Sequence, residues 1–327
     1  MTTILVLVIV AALVFDFVNG WNDSANAIAT VISTRVLSPL TAVLFAAVLN
    51  FVGALVSTRV AHTIGGGLVD PSVIQEYVIL ASMVAAAAWV ALCTLWGLPI
   101  SGSHSLIGGL VGSAAAIYGP TVLKAGGVAK VLVAMAVSPV LGLVIGFILQ
   151  IAVYWLARTM TPATARRSFG VMQLFSSGFM AFTHGMNDAQ KVMGVITLAL
   201  FSAGLLSQIA VPLWVMLLCA TAMALGTAVG GQRVIKTLGM RLTHLRPAEG
   251  FAAETAAGLV LSVAAGMGVP VSTTHTITGS ILGSGSAYRP RGVKWSIGQK
   301  IVYAWIFTLP ATALLGGLLA LGLQLLR

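Results

Sequence analysis

The sequence predicts an all-α polytopic membrane protein made of two inverted-topology repeats of about five membrane segments each, with broken or re-entrant helices at the centre. Three observations predict this class: the composition, the spacing of apolar segments, and two polar strings that each occur twice. Of the 327 residues, 58% are hydrophobic and only 7% are charged, and the mean hydropathy is +1.03. Such a composition excludes a water-soluble globular protein.

Ten apolar segments approach the length of about 20 residues that a helix needs to cross a bilayer. The first half has segments at 3–33, 39–60, 77–97, 99–118 and 128–156. The second half has segments at 169–201, 208–229, 250–267, 270–287 and 301–326. An odd number of crossings inverts the second copy. We therefore predict a first repeat over 1–156, a short basic cytoplasmic linker over 157–168 and a second repeat over 169–327. An alternative topology has four crossings per half and two re-entrant segments.

The net charge of +10 is mainly a topology signal. Most lysines and arginines fall in loops on one side of the predicted membrane, which places those loops in the cytoplasm and both termini outside. The alternative with four crossings per half satisfies this rule almost as well. The basic residues are scattered over short loops without interleaved aromatic residues, so we expect membrane lipid and no nucleic acid as partners. The same loops would suit an acidic accessory protein in the cytoplasm.

The first duplicated string is built around an Asn-Asp pair. NGWNDSANA at 19–27 returns as HGMNDAQKV at 184–192, an offset of 165 residues. Each copy places an aspartate, Asp23 or Asp188, in the middle of an apolar segment. A lone charge there costs about 2.5 to 3.5 kcal/mol, so a cation should accompany these acids.

A glycine precedes each Asn-Asp pair by two residues. Glycine allows the backbone to leave a helix, so Gly20 and Gly185 predict a helix break in the middle of each segment. Backbone groups freed at that depth must line a cavity. The simpler interpretation is that the Asn-Asp pairs only cap helices.

The second duplicated string is rich in hydroxyl groups. LPISGSHS at 98–105 returns as VPVSTTHT at 269–276, and Pro99 and Pro270 suit the first turn of a new helix. The hydroxyl side chains that follow are Ser101, Ser103, Ser105, Ser272, Thr273 and Thr274. A helix start beside such donors can hold an oxyanion. The alternative is that each hydroxyl bonds the carbonyl four residues earlier.

These strings carry a family resemblance. GWNDSANA, GLPISGSH, HGMNDAQK and GVPVSTTH follow one another in this order, and the chain resembles the inorganic phosphate transporter (PiT) family over essentially its whole length. The resemblance implies inorganic phosphate as substrate, a cation gradient as driving force, a homodimer and no enzymatic activity. By motif, the cation and phosphate centre would comprise Asn22, Asp23, Asn26, Asn187 and Asp188 with the hydroxyls above. It also places Glu254 where the family carries an acid to which transport is sensitive.

Two positions resemble the bacterial low-affinity branch of that family, which is typically proton-coupled and implies a location in the cell inner membrane. Lys191 stands where the first repeat has Asn26, and Asn50 stands where animal relatives have a glutamate. Lys191 shares a helical face with Asp188 and can replace a metal cation there; the alternative is snorkelling to the membrane surface. We expect no cofactor and no structural metal, but a co-transported proton or sodium ion held transiently near Asp23 and Asp188.

Other functions stay open at this stage. A sodium-coupled phosphate symporter, a carrier of a metal-phosphate complex and a sulfate permease would share the fold. An intramembrane phosphatase would need lysine and arginine partners for the phosphoryl group, and we expect no arginine deep in any span. A passive anion channel is disfavoured because duplicated carboxylates repel an anion that arrives alone. His104, His184 and His275 are either proton carriers or structural donors. We expect secondary active import of phosphate by alternating access.

Overall fold

The computed structural model describes residues 2–326, so Met1 and Arg327 lie outside the described residues. The first half contains α1 (Thr3–Ser33), α2 (Pro39–Ala54), α3 (Arg59–Gly67), α4 (Glu76–Trp96), α5 (Gly102–Tyr118) and α6 (Ala125–Ala157). The second half contains α7 (Pro162–Ser202), α8 (Leu213–Val229), α9 (Gln232–Lys236), α10 (Pro247–Gly266), α11 (Thr273–Tyr288) and α12 (Trp295–Leu325). No β-strand occurs between residues 2 and 326.

The two halves repeat one order of elements. Each begins with a long helix and continues with a bent pair, α2–α3 at 68° and α8–α9 at 63°. A π-helical turn over Thr237–Arg241 extends α9. Each half then has a helix that ends at a break (α4, α10), a short helix (α5, α11) and a long final helix (α6, α12). With each bent pair counted as one, there are five segments per half, and the predicted fold class is confirmed.

The break predicted at the Asn-Asp pairs is wrong. α1 and α7 run as continuous helices through Gly20 and Gly185. A Cβ atom at Gly20 would lie 2.5 Å from the carbonyl oxygen of Met223, and one at Gly185 would lie 2.1 Å from that of Asn50. The glycines therefore allow α1 to approach α8, and α7 to approach α2, at backbone distance, which is a common use of small residues in membranes.

The real breaks lie at the second duplicated string. α4 ends at Trp96 and α5 begins at Gly102, with Ser101 as the N-cap; α10 and α11 are separated in the same way, with Ser272 as the N-cap. Pro99 and Pro270 lie two residues before these N-caps, not in the first turn as predicted. A residue that precedes proline avoids helical backbone angles, so the prolines act by ending the preceding segment.

The connection between the halves is shorter than predicted. α6 ends at Ala157 and α7 begins at Pro162, so only residues 158–161 link the two helices. Thr161 caps α7 by accepting a hydrogen bond from the N–H of Thr164 at 3.3 Å, and proline is favoured at the first helical position. Residues 162–168, predicted as linker, therefore extend α7.

α1 and α7 lie at the centre of the molecule. α1 packs against α4, α7 and α8, and α7 packs against α1, α2 and α10. α6 and α12 are peripheral, and their exposed side chains are large and apolar, as lipid contact requires. The buried polar side chains gather where α1 and α7 face each other.

Candidate functional site

The middles of α1 and α7 and the first turns of α5 and α11 meet at one place. We define the central cluster as Asp23, Ser103, His184, Asp188, Lys191, Thr273 and Thr274. None of these residues is more than 2% exposed. All four duplicated strings thus contribute to one buried polar site, and both halves of the chain are needed to build it.

The first turn of α11 binds both aspartates. The Thr273 hydroxyl donates to Asp188 Oδ2 at 3.0 Å, and the Thr274 hydroxyl donates to Asp23 Oδ1 at 2.9 Å. The helix starts at this point because the Ser272 side chain accepts a hydrogen bond from the N–H of His275. Two adjacent residues of one helix are therefore held by acids from opposite halves of the protein.

Lys191 forms the one lysine–aspartate ion pair of the cluster. Its Nζ lies 2.5 Å from Asp188 Oδ1 and 2.5 Å from the hydroxyl oxygen of Ser103. Asp188 also accepts a hydrogen bond from the amide of Asn19 at 3.3 Å. The charge of Asp188 is thus balanced within the protein, and the alternative in which Lys191 snorkels to the membrane surface does not apply.

Asp23 has no such counterion. Its Oδ2 has no hydrogen-bond partner among the described residues, and the nearest basic atom is His184 Nε2 at 3.9 Å. The same Nε2 lies 3.6 Å from Asp188 Oδ2. Asp23, His184 and Asp188 each offer a ligand atom within 4.8 Å of the others. A proton or a metal cation bound here would balance the charge of Asp23.

Asn50 of α2 fixes the orientation of His184. The Asn50 amide donates to the Thr227 hydroxyl at 3.0 Å, so its Oδ1 is the acceptor that faces His184 Nδ1, also at 3.0 Å. His184 therefore carries a proton on Nδ1, and Nε2 faces the two carboxylates. With Nδ1 already protonated, a second proton would enter at Nε2, between the acids.

Further unpaired acceptors lie on the same helices. The side-chain oxygens of Asn19, Asn22, Asn26 and Asn187 are buried and accept no hydrogen bond from any described residue. Amide and carboxylate oxygens are the ligands that hard cations prefer. The surroundings of Asp23 are thus chemically suited to a cation.

Residues 19–316 match the family model described as the phosphate transporter family. The chain belongs to this family. It is 44% identical over 317 residues to the "Probable low-affinity inorganic phosphate transporter" of Rhizobium meliloti (strain 1021), covering 96% of this chain and 95% of that protein. The protein of the same name from Bacillus subtilis (strain 168) is 42% identical over 316 residues, covering 96% and 95%.

A solved structure has the same fold. "The sodium-dependent phosphate transporter" superposes with a TM-score of 0.89, covering 100% of both chains at 24% sequence identity. Membership of the phosphate transporter family makes this chain a transporter-family protein and not an enzyme, and its long apolar helices make it a multi-pass membrane protein. The resemblance read from the strings is confirmed at the level of the family.

Within this phosphate transporter family member, only part of the predicted hydroxyl set faces the acids. Ser101 and Ser272 serve as N-caps, and the Ser105 hydroxyl donates to the Ser101 carbonyl at 3.1 Å. Ser103 instead contacts Lys191 and donates to the carbonyl of Val271 at 3.0 Å, which joins the two breaks. Ser103, Thr273 and Thr274 are thus the hydroxyls brought to the centre.

The asparagines predicted at the site also donate hydrogen bonds to other protein groups. The Asn22 amide donates to the Thr94 hydroxyl at 2.8 Å and to the Leu98 carbonyl at 3.3 Å, at the break after α4. The Asn187 amide donates to the Leu261 carbonyl of α10 at 3.1 Å. The Asn26 amide donates to the Thr274 hydroxyl at 3.0 Å. These amide donors are engaged with protein, and their oxygens stay available.

Glu254 of the transporter lies apart from the central cluster. Its carboxylate accepts hydrogen bonds from Thr30 at 2.5 Å, from Gln173 at 3.0 Å and from Ser176. None of these partners belongs to the central cluster. The contacts of Asn50 with His184 and of Asn19 with Asp188 were not predicted, because each joins residues more than 130 positions apart.

Proposed function

We propose that this chain is a symporter that imports inorganic phosphate together with one cation by alternating access. Family membership supports phosphate as the substrate, and the names of the bacterial relatives point the same way. The observation that carries the mechanism is the unequal pairing of the two aspartates. Asp188 has Lys191 as a fixed counterion, whereas Asp23 has none.

Hydrogen phosphate fits the donors of the cluster. The Lys191 ammonium keeps donor capacity beyond its bond to Asp188, and the hydroxyls of Ser103, Thr273 and Thr274 donate to phosphate by exchanging their present acceptors for its oxygens. The starts of α5 and α11 direct their positive ends to the same place. Hydrogen phosphate is itself a donor, and Asp23 Oδ2 is an acceptor without a partner. Sulfate has no proton to donate, so binding it leaves this acceptor unpaired at a cost of about 1–3 kcal/mol. Phosphate is therefore preferred over sulfate.

The cation makes anion entry favourable. Two carboxylates and one ammonium leave one uncompensated negative charge at the centre, which repels a phosphate anion in a medium of low dielectric constant. A proton on His184 Nε2, which lies 3.9 Å from Asp23 Oδ2, removes that charge and leaves Asp23 Oδ2 able to accept from hydrogen phosphate. Phosphate then binds only when the cation is also bound, as coupled transport requires.

We favour the proton over sodium. Lys191 stands 165 positions after Asn26, so it takes, in the second repeat, the place of a neutral side chain in the first. A fixed ammonium group there does the work of one metal cation, and only the Asp23 side needs an exchangeable one. Sodium stays the second candidate, because Asp23, His184 and Asp188 offer ligand atoms within 4.8 Å of each other. A neutral metal-phosphate complex would also satisfy this charge balance.

The inverted repeats support alternating access, since an exchange of conformation between the two halves moves the opening from one side of the membrane to the other. Import needs the orientation that the loop charges predict, with both termini outside. We also propose a homodimer, as the family resemblance implies.

The test is uptake of radiolabelled phosphate into proteoliposomes under an imposed proton or sodium gradient. We expect an inward proton gradient to drive uptake, and Asp23→Asn to abolish the response to the gradient. Asp188→Asn should also lose binding, because it leaves the Lys191 ammonium buried without its partner. Uptake that follows the phosphate gradient alone, without response to proton or sodium, would identify a passive channel and refute the proposal. Tenfold excess sulfate should leave most of the uptake intact.

A further inference from the structure

A cavity of about 660 Å³ lies where α1 and α6 end and where α7 and α10 begin. Four exposed basic side chains line it: Arg35, Arg166, His244 and Arg246. We call this cavity the basic pocket. It lies on the face that the loop charges predict to be cytoplasmic, and it is separate from the central cluster.

The basic pocket has a surplus of positive charge. Glu249 is the one acidic residue that lines it within the described chain, and it is only 2% exposed. Its carboxylate already accepts hydrogen bonds from the N–H of Arg246 at 2.8 Å and from the Tyr154 hydroxyl at 3.4 Å. The start of α10, a helix of 20 residues, adds the positive end of its dipole. Arginine side chains are the best suited to bind phosphate oxygens.

The wall of the pocket continues into the protein as polar groups. Thr34 lines the pocket, and its hydroxyl lies 2.8 Å from Gln173 Oε1. The Gln173 amide donates to Glu254 at 3.0 Å, and Glu254 accepts from Thr30 at 2.5 Å. Thr30 lies one helical turn after Asn26, whose amide donates to Thr274 of the central cluster. A buried polar row therefore connects the basic pocket with the central cluster.

The equivalent positions in the opposite repeat are apolar. The offset of 165 residues between α1 and α7 pairs Gln173 with Val8, Thr30 with Val195 and Thr34 with Ala199. By the offset of 171 residues between the second strings, Glu254 corresponds to Met83. All four counterparts lie together in one apolar core. The polar row therefore has apolar residues at the equivalent positions of the other repeat.

We propose that the basic pocket binds a phosphate group, a tetrahedral oxyanion. It is the intermediate binding site between the central cluster and the cytoplasm. This inference rests on the proposed function. Arg35 and Arg166 bind the phosphate oxygens, and the polar row through Glu254 connects the pocket with the central cluster. Free phosphate and the headgroup of an anionic phospholipid share this chemistry, and the experiment separates them.

The experiment measures how fast a thiol in the pocket reacts. Both native cysteines are buried. In the His244→Cys variant, a negatively charged thiol reagent therefore labels the introduced thiol specifically. The full chain is placed in nanodiscs of neutral lipid, and inorganic phosphate is compared with chloride at equal ionic strength. We expect labelling to slow about threefold when phosphate is at about twice its Kd. Equal slowing by chloride, or no slowing by phosphate and by anionic lipid alike, overturns the inference.

Matched variants test the arginines. Adding Arg35→Gln and Arg166→Gln to the His244→Cys variant should weaken the protection about tenfold in phosphate concentration, because bonds to charged groups are lost. Arg167→Gln removes an exposed arginine that does not line the pocket, and it should leave the protection unchanged. Protection that survives in the double arginine variant contradicts the assignment.

A second arm replaces part of the neutral lipid with phosphatidylglycerol. If the lipid slows labelling and free phosphate adds nothing, the phosphate group in the pocket belongs to a headgroup, and the site is assigned to lipid. Phosphate uptake by the wild-type chain is measured in parallel. Uptake without protection defeats this inference alone, and protection without uptake defeats the proposed function alone.

Discussion

Lys191 Nζ lies 2.5 Å from Asp188 Oδ1, at the position in the second repeat that Asn26 occupies in the first. Both repeats therefore carry an aspartate at the equivalent position, but only the second repeat pairs its aspartate with a lysine. The acid of the first repeat needs a mobile cation, and the acid of the second carries its own. This asymmetry leads to a direct test by substitution.

Lys191→Asn restores the side chain of the first repeat. We expect uptake to fall at least tenfold without sodium, because breaking a buried ion pair costs about 3–5 kcal/mol. High sodium should recover part of the uptake, since the amide oxygen and Asp188 then offer ligands to a metal cation. Lys191→Met, which lacks that oxygen, is the control and should not recover. The measurement is a sodium titration of phosphate uptake in both variants. Proton-driven uptake at the wild-type level in Lys191→Asn would contradict the role of Lys191 as the fixed counterion of Asp188.

Thr274→Val removes the hydroxyl that binds Asp23. The buried Asp23 Oδ1 then lacks a donor, at a cost of about 1–3 kcal/mol, so we expect kcat/KM for phosphate uptake to fall about tenfold. Thr276→Val is the matched control, because its hydroxyl donates to the Ser272 carbonyl of its own helix at 2.8 Å. Equal losses in both variants would show that the effect comes from α11 and not from Asp23.

Gly20→Ala and Gly185→Ala should destabilise the protein and leave its charge unchanged. The added methyl group would lie 2.5 Å or 2.1 Å from a backbone oxygen of the facing helix, and overpacking typically costs about 1–3 kcal/mol. Thermal unfolding in detergent should show a lower Tm for both. Gly322→Ala is the control, since a Cβ atom there meets nothing within 4 Å and alanine favours a helix. An unchanged Tm in the first two variants would argue against the close helix contact.

Glu254→Gln tests the polar row apart from the central cluster. Since Glu254 contacts no residue of the cluster, we expect its KM for outside phosphate to stay within about twofold of the wild type. Turnover should fall about tenfold or more, because the row loses its one carboxylate. Glu76→Gln, at the start of α4 and outside both the central cluster and the basic pocket, is the control and should transport normally. Initial rates over a range of phosphate concentrations separate KM from turnover.

Much of this arrangement is predictable from the sequence, and the remainder depends on contacts between distant helices. The duplicated strings locate Asp23, Asp188 and the two helix breaks, because polar residues inside apolar segments stand out. The helix break predicted at Gly20 is wrong because glycine is found both at helix breaks and at close helix contacts. Only the facing carbonyl of Met223 distinguishes the two cases. Likewise, the sequence cannot tell Ser103 from Ser105, since the choice depends on which side of α5 faces Lys191.

Thr273 and Thr274 are neighbours in the chain, yet each holds the acid of a different repeat. A shift of the α11 start along or about its axis therefore lengthens both bonds at once. We therefore expect the two halves to be coupled through this peptide unit. The energies of the two threonines should then be non-additive in a double-mutant cycle.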